Sequence, residues 1–341
     1  MINKKFIIIT AIILFLGIIL AWQYKQEKTV TSSIDQEEES FKEVRQSGYK
    51  FINPLLECEL KSNEMGSVAE LRNKASLAVT EVLNYDNKIK NISVYFRDLN
   101  NGPWFGINEK EKFSPSSLLK VPLLIAYLKQ AEVGPELLLE KYLKEKEVDL
   151  GDNFAYQYFK PSQKLEIGKS YTIDELLYRM IAYSDNEAAL ILFSLIKPEI
   201  QTTIYNDLGI KMPEANKEDF MTVKDYASFF RILFNASYLN RDFSEKALTL
   251  LSKSEFDKGI VAGTRGNVVV AHKFGERVYQ TEEKVELKQL HDCGIVYYPQ
   301  HPYLLCIMSR GDDFDKLANI IKDISYLIFD YINQRYQLVK N

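Results

Sequence analysis

Three short clusters in the 341-residue chain hold side chains able to do nucleophilic chemistry. The first is Ser117-Leu118-Leu119-Lys120, inside FSPSSLLKVPLL. A serine hydroxyl attacks a carbonyl well only when a base takes its proton. Residues three apart on a helix share a face, so Lys120 can meet Ser117. A helix start also offers free backbone N–H groups and a positive dipole end to an anionic oxygen. Ser116 competes for the nucleophile's role but, four residues before the lysine, suits the cap position better. The second cluster, Ser184-Asp185-Asn186, can hold a hydroxyl and an amide fixed over a cleft. Ser184 with Glu187 also satisfies a helix-capping pattern. The third, His272-Lys273-Phe274-Gly275, puts a lysine on a strand where glycine lets a ligand approach the backbone. Each has a plain structural alternative: a capped helix, a cap, and an edge-strand lysine beside a bend.

The elements that must position these clusters are legible from periodicity and turn residues. A helix is expected over about 66–83, then strands over 92–98 and 103–108, joined at Asn100-Asn101-Gly102. Helices fill the middle: one over about 117–131, others opened by Thr172-x-x-Glu175, Ser184-x-x-Glu187 and Thr222-x-x-Asp225, and one after Ser244. Strands return over 267–275, 290–298 and 303–309, followed by an amphipathic helix over about 313–337. This order predicts an α/β protein of the α+β type. A mixed, mainly antiparallel five-stranded sheet is drawn from both chain ends and flanked by helices, with a helical subdomain inserted.

In content, order and placing, Ser-x-x-Lys, Ser-Asp-Asn and Lys-x-Gly resemble the signature of class A β-lactamases and penicillin-binding proteins. The resemblance spans roughly residues 66–337, and LHDCGIVYYPQHPYLLCIMS looks like that family's closing hairpin. It implies a β-lactamase-like fold and a serine hydrolase working through an acyl-enzyme. Ser117 is then the acylated nucleophile, Lys120 its general base and Ser184 the hydroxyl that shuttles a proton to the leaving nitrogen. Asn186 contacts substrate and Lys120. Lys273 binds the substrate carboxylate and tunes Ser184, beside Gly275. The backbone N–H groups of Ser117 and Glu276 form the oxyanion hole. The implied substrate is a β-lactam or a peptidoglycan peptide, with no metal and no organic cofactor.

Two departures limit this. Lys-Phe-Gly lacks the hydroxyl that usually helps hold the substrate carboxylate. The family's E-x-x-L-N segment, whose Glu activates the deacylating water, does not occur between Asn186 and Lys273. Glu214, Glu218 and Asp219 lie in the interval, with solvated loop acids as the plain reading. Slow β-lactam turnover is therefore expected. A D-alanyl-D-alanine carboxypeptidase, another serine amidase or esterase, and a non-catalytic cell-wall-binding module remain the alternatives.

Residues 6–22 are an almost unbroken apolar run after Lys4 and Lys5, about 25 Å long as a helix. Trp22, which ends the run, and Tyr24 sit as in an interfacial belt. Residues 1–24 thus read as an anchor in the cytoplasmic membrane, with a cleaved signal peptide as the alternative. Residues 25–46 read as a polar tether and 47–341 as an extracytoplasmic hydrolase domain, taken as a monomer. A net charge of −4 excludes the electrostatic footprint of a nucleic-acid binder. Cys58, Cys293 and Cys306 suggest no metal site. Buried free thiols are expected, with Cys293–Cys306 pairing as the alternative if register allows.

Overall fold

The computed structural model describes residues 40–45, 48–61, 66–100, 102–151, 156–210, 218–265, 268–280 and 286–336. The apolar run 6–22, tether residues 25–39, and Glu214 lie outside them. Contacts divide the chain into a unit of residues 1–40 and 60–62, almost all outside the described residues, and a unit of 41–59 and 63–341. Strands β1 (Ser40–Arg45) and β2 (Leu55–Lys61), the latter containing Cys58, form a two-stranded sheet. Among the described residues no helix is long and apolar enough to cross a membrane.

The larger unit is organised around β3 (Ile89–Asp98), β4 (Trp104–Ile107), β7 (Val270–Gln280), β8 (Glu286–Val296) and β9 (Tyr303–Gly311). Their order across the sheet is β4-β3-β9-β8-β7. Both chain ends contribute, as predicted, but every pairing is antiparallel rather than mixed. The β3–β4 turn needs glycine, because Gly102 has φ +85° and its N–H donates to Asp98 O. Period-two alternation divides the sheet between two cores. On β9, Leu304, Cys306 and Met308 join the helical core, whereas Leu305 and Ile307 join the opposite one.

The opposite core is covered by α1 (Gly66–Tyr85) and a C-terminal helix, Phe314–Tyr336. In that last helix Leu317, Ile321, Ile324, Ile328 and Ile332, spaced three and four apart, are buried as one stripe. The helical side begins with a 3-10 turn, Ser116–Leu119, running into α2 (Lys120–Ala131). A second 3-10 turn, Pro135–Leu139, and the strand pair β5 (Lys141–Leu143) and β6 (Ser170–Thr172) follow. Next come α3 (Ile173–Ala182), α4 (Asn186–Leu195), α5 (Pro198–Asp207), α6 (Val223–Phe234) and α7 (Arg241–Leu251). A short α8 (Ile260–Gly263) precedes β7, and the C-terminal helix is α9.

The capping boxes at Thr172–Glu175 and Thr222–Asp225 form as expected. Two other caps are corrected. Asp185, not Ser184, caps α4, accepting from the N–H groups of Glu187 and Ala188. Asn240 caps α7, so Ser244 lies within that helix. Residues 50–52, which precede the span of the resemblance, dock through Glu245. Its carboxylate accepts from the N–H groups of Lys50, Phe51 and Ile52.

The cysteine expectation is also corrected. Cys293 and Cys306 are directly opposed on β8 and β9, fully buried and joined as a disulfide. Cross-strand register decided this, which thirteen residues of sequence separation cannot show.

Candidate active site

The stretch around the nucleophile is pinned from three sides, by Met221, β8 and α6. Phe113 makes an antiparallel bridge to Met221. The Ser114 N–H donates to Gln289 Oε1 at 3.0 Å. His291 Nε2 lies 3.0 Å from Ser114 O, and the Ser309 N–H donates to His291 Nδ1. That pair of partners fixes a neutral ring with its proton on Nε2. Burial agrees, pushing the imidazole down to about 3. Tyr226 Oη donates to Leu118 O at 3.0 Å.

Ser116 does not act as the expected cap. It adopts φ +49°, and its hydroxyl donates to Glu276 O on β7. A non-glycine residue in that region stores backbone strain, placed here one residue before Ser117. The half-buried Ser117 follows in the 3-10 turn. Gly275 permits the close approach of β7, since a Cβ there would lie 2.8 Å from Pro115 O and 3.1 Å from Leu118 N. The backbone of residues 275–276 therefore abuts that of 115–118.

Lys120 opens α2 and is buried. Its Nζ donates to Ser184 O and Asn186 Oδ1, both at 2.7 Å, and lies 3.2 Å from Ser184 Oγ. Burial outweighs the nearby Asp185 and Glu276 charges and pushes its amine down to about 7. Ser184, at φ +55° between α3 and α4, sits between two lysines. The second is Lys273, which is fully buried and donates to Ser184 Oγ and Phe274 O, each at 2.9 Å. Burial and the neighbouring Lys120 hold Lys273 well below the usual lysine range. Ser184 Oγ thus connects two amines that shed protons easily, an arrangement suited to moving a proton across the cleft.

Ser184, Asn186, Lys120 and Lys273 therefore converge as the sequence implies, and Gly275 and Glu276 lie against the nucleophile's turn. The structure departs from expectation at Phe274. Its ring stacks on Phe256 at 4.2 Å, meets Phe159 edge-on, and belongs to the core on the α9 side. Two other expectations change. Glu218 pairs with Arg277 at 2.6 Å, and Asp219 with Arg310 at 2.8 Å and with Gln289. These acids are ion-paired rather than merely solvated.

Sequence reasoning missed the segment 156–159. Gln157 Nε2 donates to Ser184 O at 3.1 Å. The N–H groups of Tyr158 and Phe159 donate to the buried Glu276 carboxylate at 3.1 and 3.3 Å. Tyr158 Oη reaches Asp315 on α9. Nothing in QYFK marks this, because its partners lie 27 to 157 residues away. It also missed the first of the partial matches to the family's acidic segment between α5 and α7. Met212-Pro213-Glu214-Ala215-Asn216 shares the asparagine of E-x-x-L-N with methionine at the glutamate's offset, and Ala236-Ser237-Tyr238-Leu239-Asn240 shares its Leu-Asn with alanine there. Residues 212–216 lie outside the described ones.

Among the described residues no group of three or more His, Cys, Asp or Glu could hold a metal ion. An antiparallel five-stranded sheet with helices on both faces, and Ser184 held between two buried lysines, fit a β-lactamase-like serine hydrolase fold. Comparison with known proteins agrees: the model of the beta-lactamase enzyme family matches residues 74–332, and the chain belongs to that family. A search of curated proteins matches none.

Solved structures match at the level of fold. PBP-A is 17% identical with a TM-score of 0.63, over 78% of this chain and 97% of that one. A mutant of PBP-A, solved as an acyl-enzyme complex with penicillin-G, is 18% identical with a TM-score of 0.62 over the same shares. A beta-lactamase from Chitinophaga pinensis DSM 2588 is 20% identical with a TM-score of 0.64, over 77% and 100%. A class A beta-lactamase representative from Bacteroides cellulosilyticus DSM 14838 is 17% identical with a TM-score of 0.62, over 77% and 99%.

Proposed function

We propose that this chain is an extracytoplasmic serine hydrolase that acylates Ser117 with a β-lactam or D-alanyl amide and releases the product slowly. The observation that carries the reading is Ser184 Oγ, held 2.9 Å from Lys273 Nζ and 3.2 Å from Lys120 Nζ beside the nucleophile's turn. In the acylation step Ser117 Oγ bonds to the carbonyl carbon and its proton passes to the Lys120 amine. The backbone N–H groups of Ser117 and Glu276 receive the oxyanion, each such donor being worth about 3 kcal/mol. The C–N bond then breaks, and the proton reaches the leaving nitrogen through Ser184, with Asn186 orienting substrate and Lys120. No cofactor takes part.

Slow release is read from the lack of an E-x-x-L-N glutamate between Asn186 and Lys273. Of the acids in that interval, Glu218 and Asp219 are engaged by arginines and Glu214 lies outside the described residues, while Met212 holds the glutamate's offset in the frame ending at Asn216. Stopped-flow hydrolysis of a chromogenic cephalosporin should give a burst of about one equivalent and then a slow phase. Sustained turnover above about 10 per second, a median enzyme rate, would contradict slow release.

Residues 6–22 serve in this reading as the anchor that presents a monomeric domain outside the cytoplasmic membrane. The Cys293–Cys306 disulfide supports an oxidising compartment. Protease added to intact spheroplasts should release a soluble fragment beginning within residues 25–46. Protection of the whole chain would reverse the orientation.

A further inference from the structure

The Glu276 carboxylate stands on the strand that borders the nucleophile, one residue after the glycine that lets that strand approach residues 115–118. It is buried, hydrogen-bonded by Tyr158 and Phe159 N–H groups, and in the electrostatic field of Lys273 and Lys120. Lys273 itself is occupied. Its Nζ donates to Ser184 Oγ and Phe274 O and lies 4.0 Å over the Phe274 ring. The Phe274 side chain offers no hydroxyl and is committed to the Phe256 stack. The place where an anionic group would dock thus has an enclosed, satisfied lysine, an aromatic ring and a carboxylate. Placing a second anion beside a carboxylate is unfavourable, and such juxtapositions are a common source of discrimination.

We propose that Glu276 is a specificity-determining residue that turns this cleft against anionic acyl donors. Its substrates are amides or esters whose group beside Lys273 is neutral or cationic. The inference rests on the acyl-enzyme reading of Ser117 and narrows its substrate class.

Benzylpenicillin and its methyl ester make a matched pair. In both, Ser117 Oγ bonds to the lactam carbonyl carbon, the ring C–N bond breaks and the serine proton ends on the ring nitrogen. Only the charge of the flanking group differs. At about pH 9, where Glu276, pushed up to about 7 by burial, is ionised, acylation followed by intact mass should be at least about tenfold faster for the ester than for the free acid in the full chain, and the gap should narrow toward pH 7. An aminoethyl amide should match the ester. Glu276→Gln, which retains an oxygen acceptor for the 158–159 backbone, should close most of the gap by accelerating the acid. Equal or faster acylation of wild type by the free acid overturns the proposal whatever the variant does. So does an acid-to-ester ratio unchanged in a Glu276→Gln protein that still reacts with the ester. Failure of every probe, including a neutral fluorophosphonate, to label Ser117 would instead remove the acyl-enzyme reading itself.

Discussion

Lys120→Ala will slow acylation of Ser117 by about 100-fold or more, the scale on which a positioned proton acceptor commonly contributes. Lys120 is buried at the start of α2 and pushed down to about 7, so near neutral pH much of it is the free amine a base must be. The sign follows. Below about pH 7 the amine is protonated and acylation falls; above it the rate reaches a plateau. Burial drives the shift against the charges of Asp185 and Glu276, while Ser184 and Asn186 hold the amine by hydrogen bonds. Glu276 is itself pushed up to about 7 by burial. The assignment therefore needs two pH profiles, measured with the neutral ester as acyl donor. The rise near pH 7 should vanish in Lys120→Ala and survive in Glu276→Gln. A rise that persists in Lys120→Ala would assign the base elsewhere.

Met212→Glu will convert the burst into turnover, raising the slow-phase rate by about 100-fold or more while leaving the acylation rate within a fewfold. The two half-reactions differ in the groups they need. Acylation has candidates for every group it needs: Ser117, Lys120, Ser184 and the backbone donors. Hydrolysis of the ester needs a further base aimed at water. Met221, nine residues after Met212, is tied to the stretch before the nucleophile by its bridge to Phe113. Glu218→Gln and Asp219→Asn, by contrast, should leave the slow phase unchanged, because their carboxylates serve Arg277 and Arg310. An unaltered slow phase in Met212→Glu would show that the frame does not hold the deacylating position.

The three clusters were legible because each is a local pattern tied to an element boundary. A serine and lysine three apart at a helix start, a tripeptide between helices, and a lysine–glycine strand all survive folding as written. The capping boxes at Thr172 and Thr222 were legible for the same reason. What failed were competitions among adjacent residues and contacts between distant ones. Ser184 and Asp185 both suit a cap. Asp185 took it, which left Ser184 at positive φ and its hydroxyl available to the lysines. Ser116 looked like a cap and instead reached across to β7. The Cys293–Cys306 pairing required strand register, and the hold of residues 158–159 on Glu276 joins segments 117 and 118 positions apart. Glu276 entered the sequence reading only as a backbone donor. Its carboxylate matters because folding buries it beside two lysines.

The most direct test of the account is intact-mass spectrometry of wild type, Ser117→Ala and Ser116→Ala after exposure to the methyl ester of benzylpenicillin. Wild type and Ser116→Ala should each gain the mass of one acyl group, persisting for minutes, and peptide mapping should place it on Ser117. Ser117→Ala should gain nothing. An equal mass gain in wild type and Ser117→Ala would contradict the assignment of Ser117 as the nucleophile on which the whole reading rests.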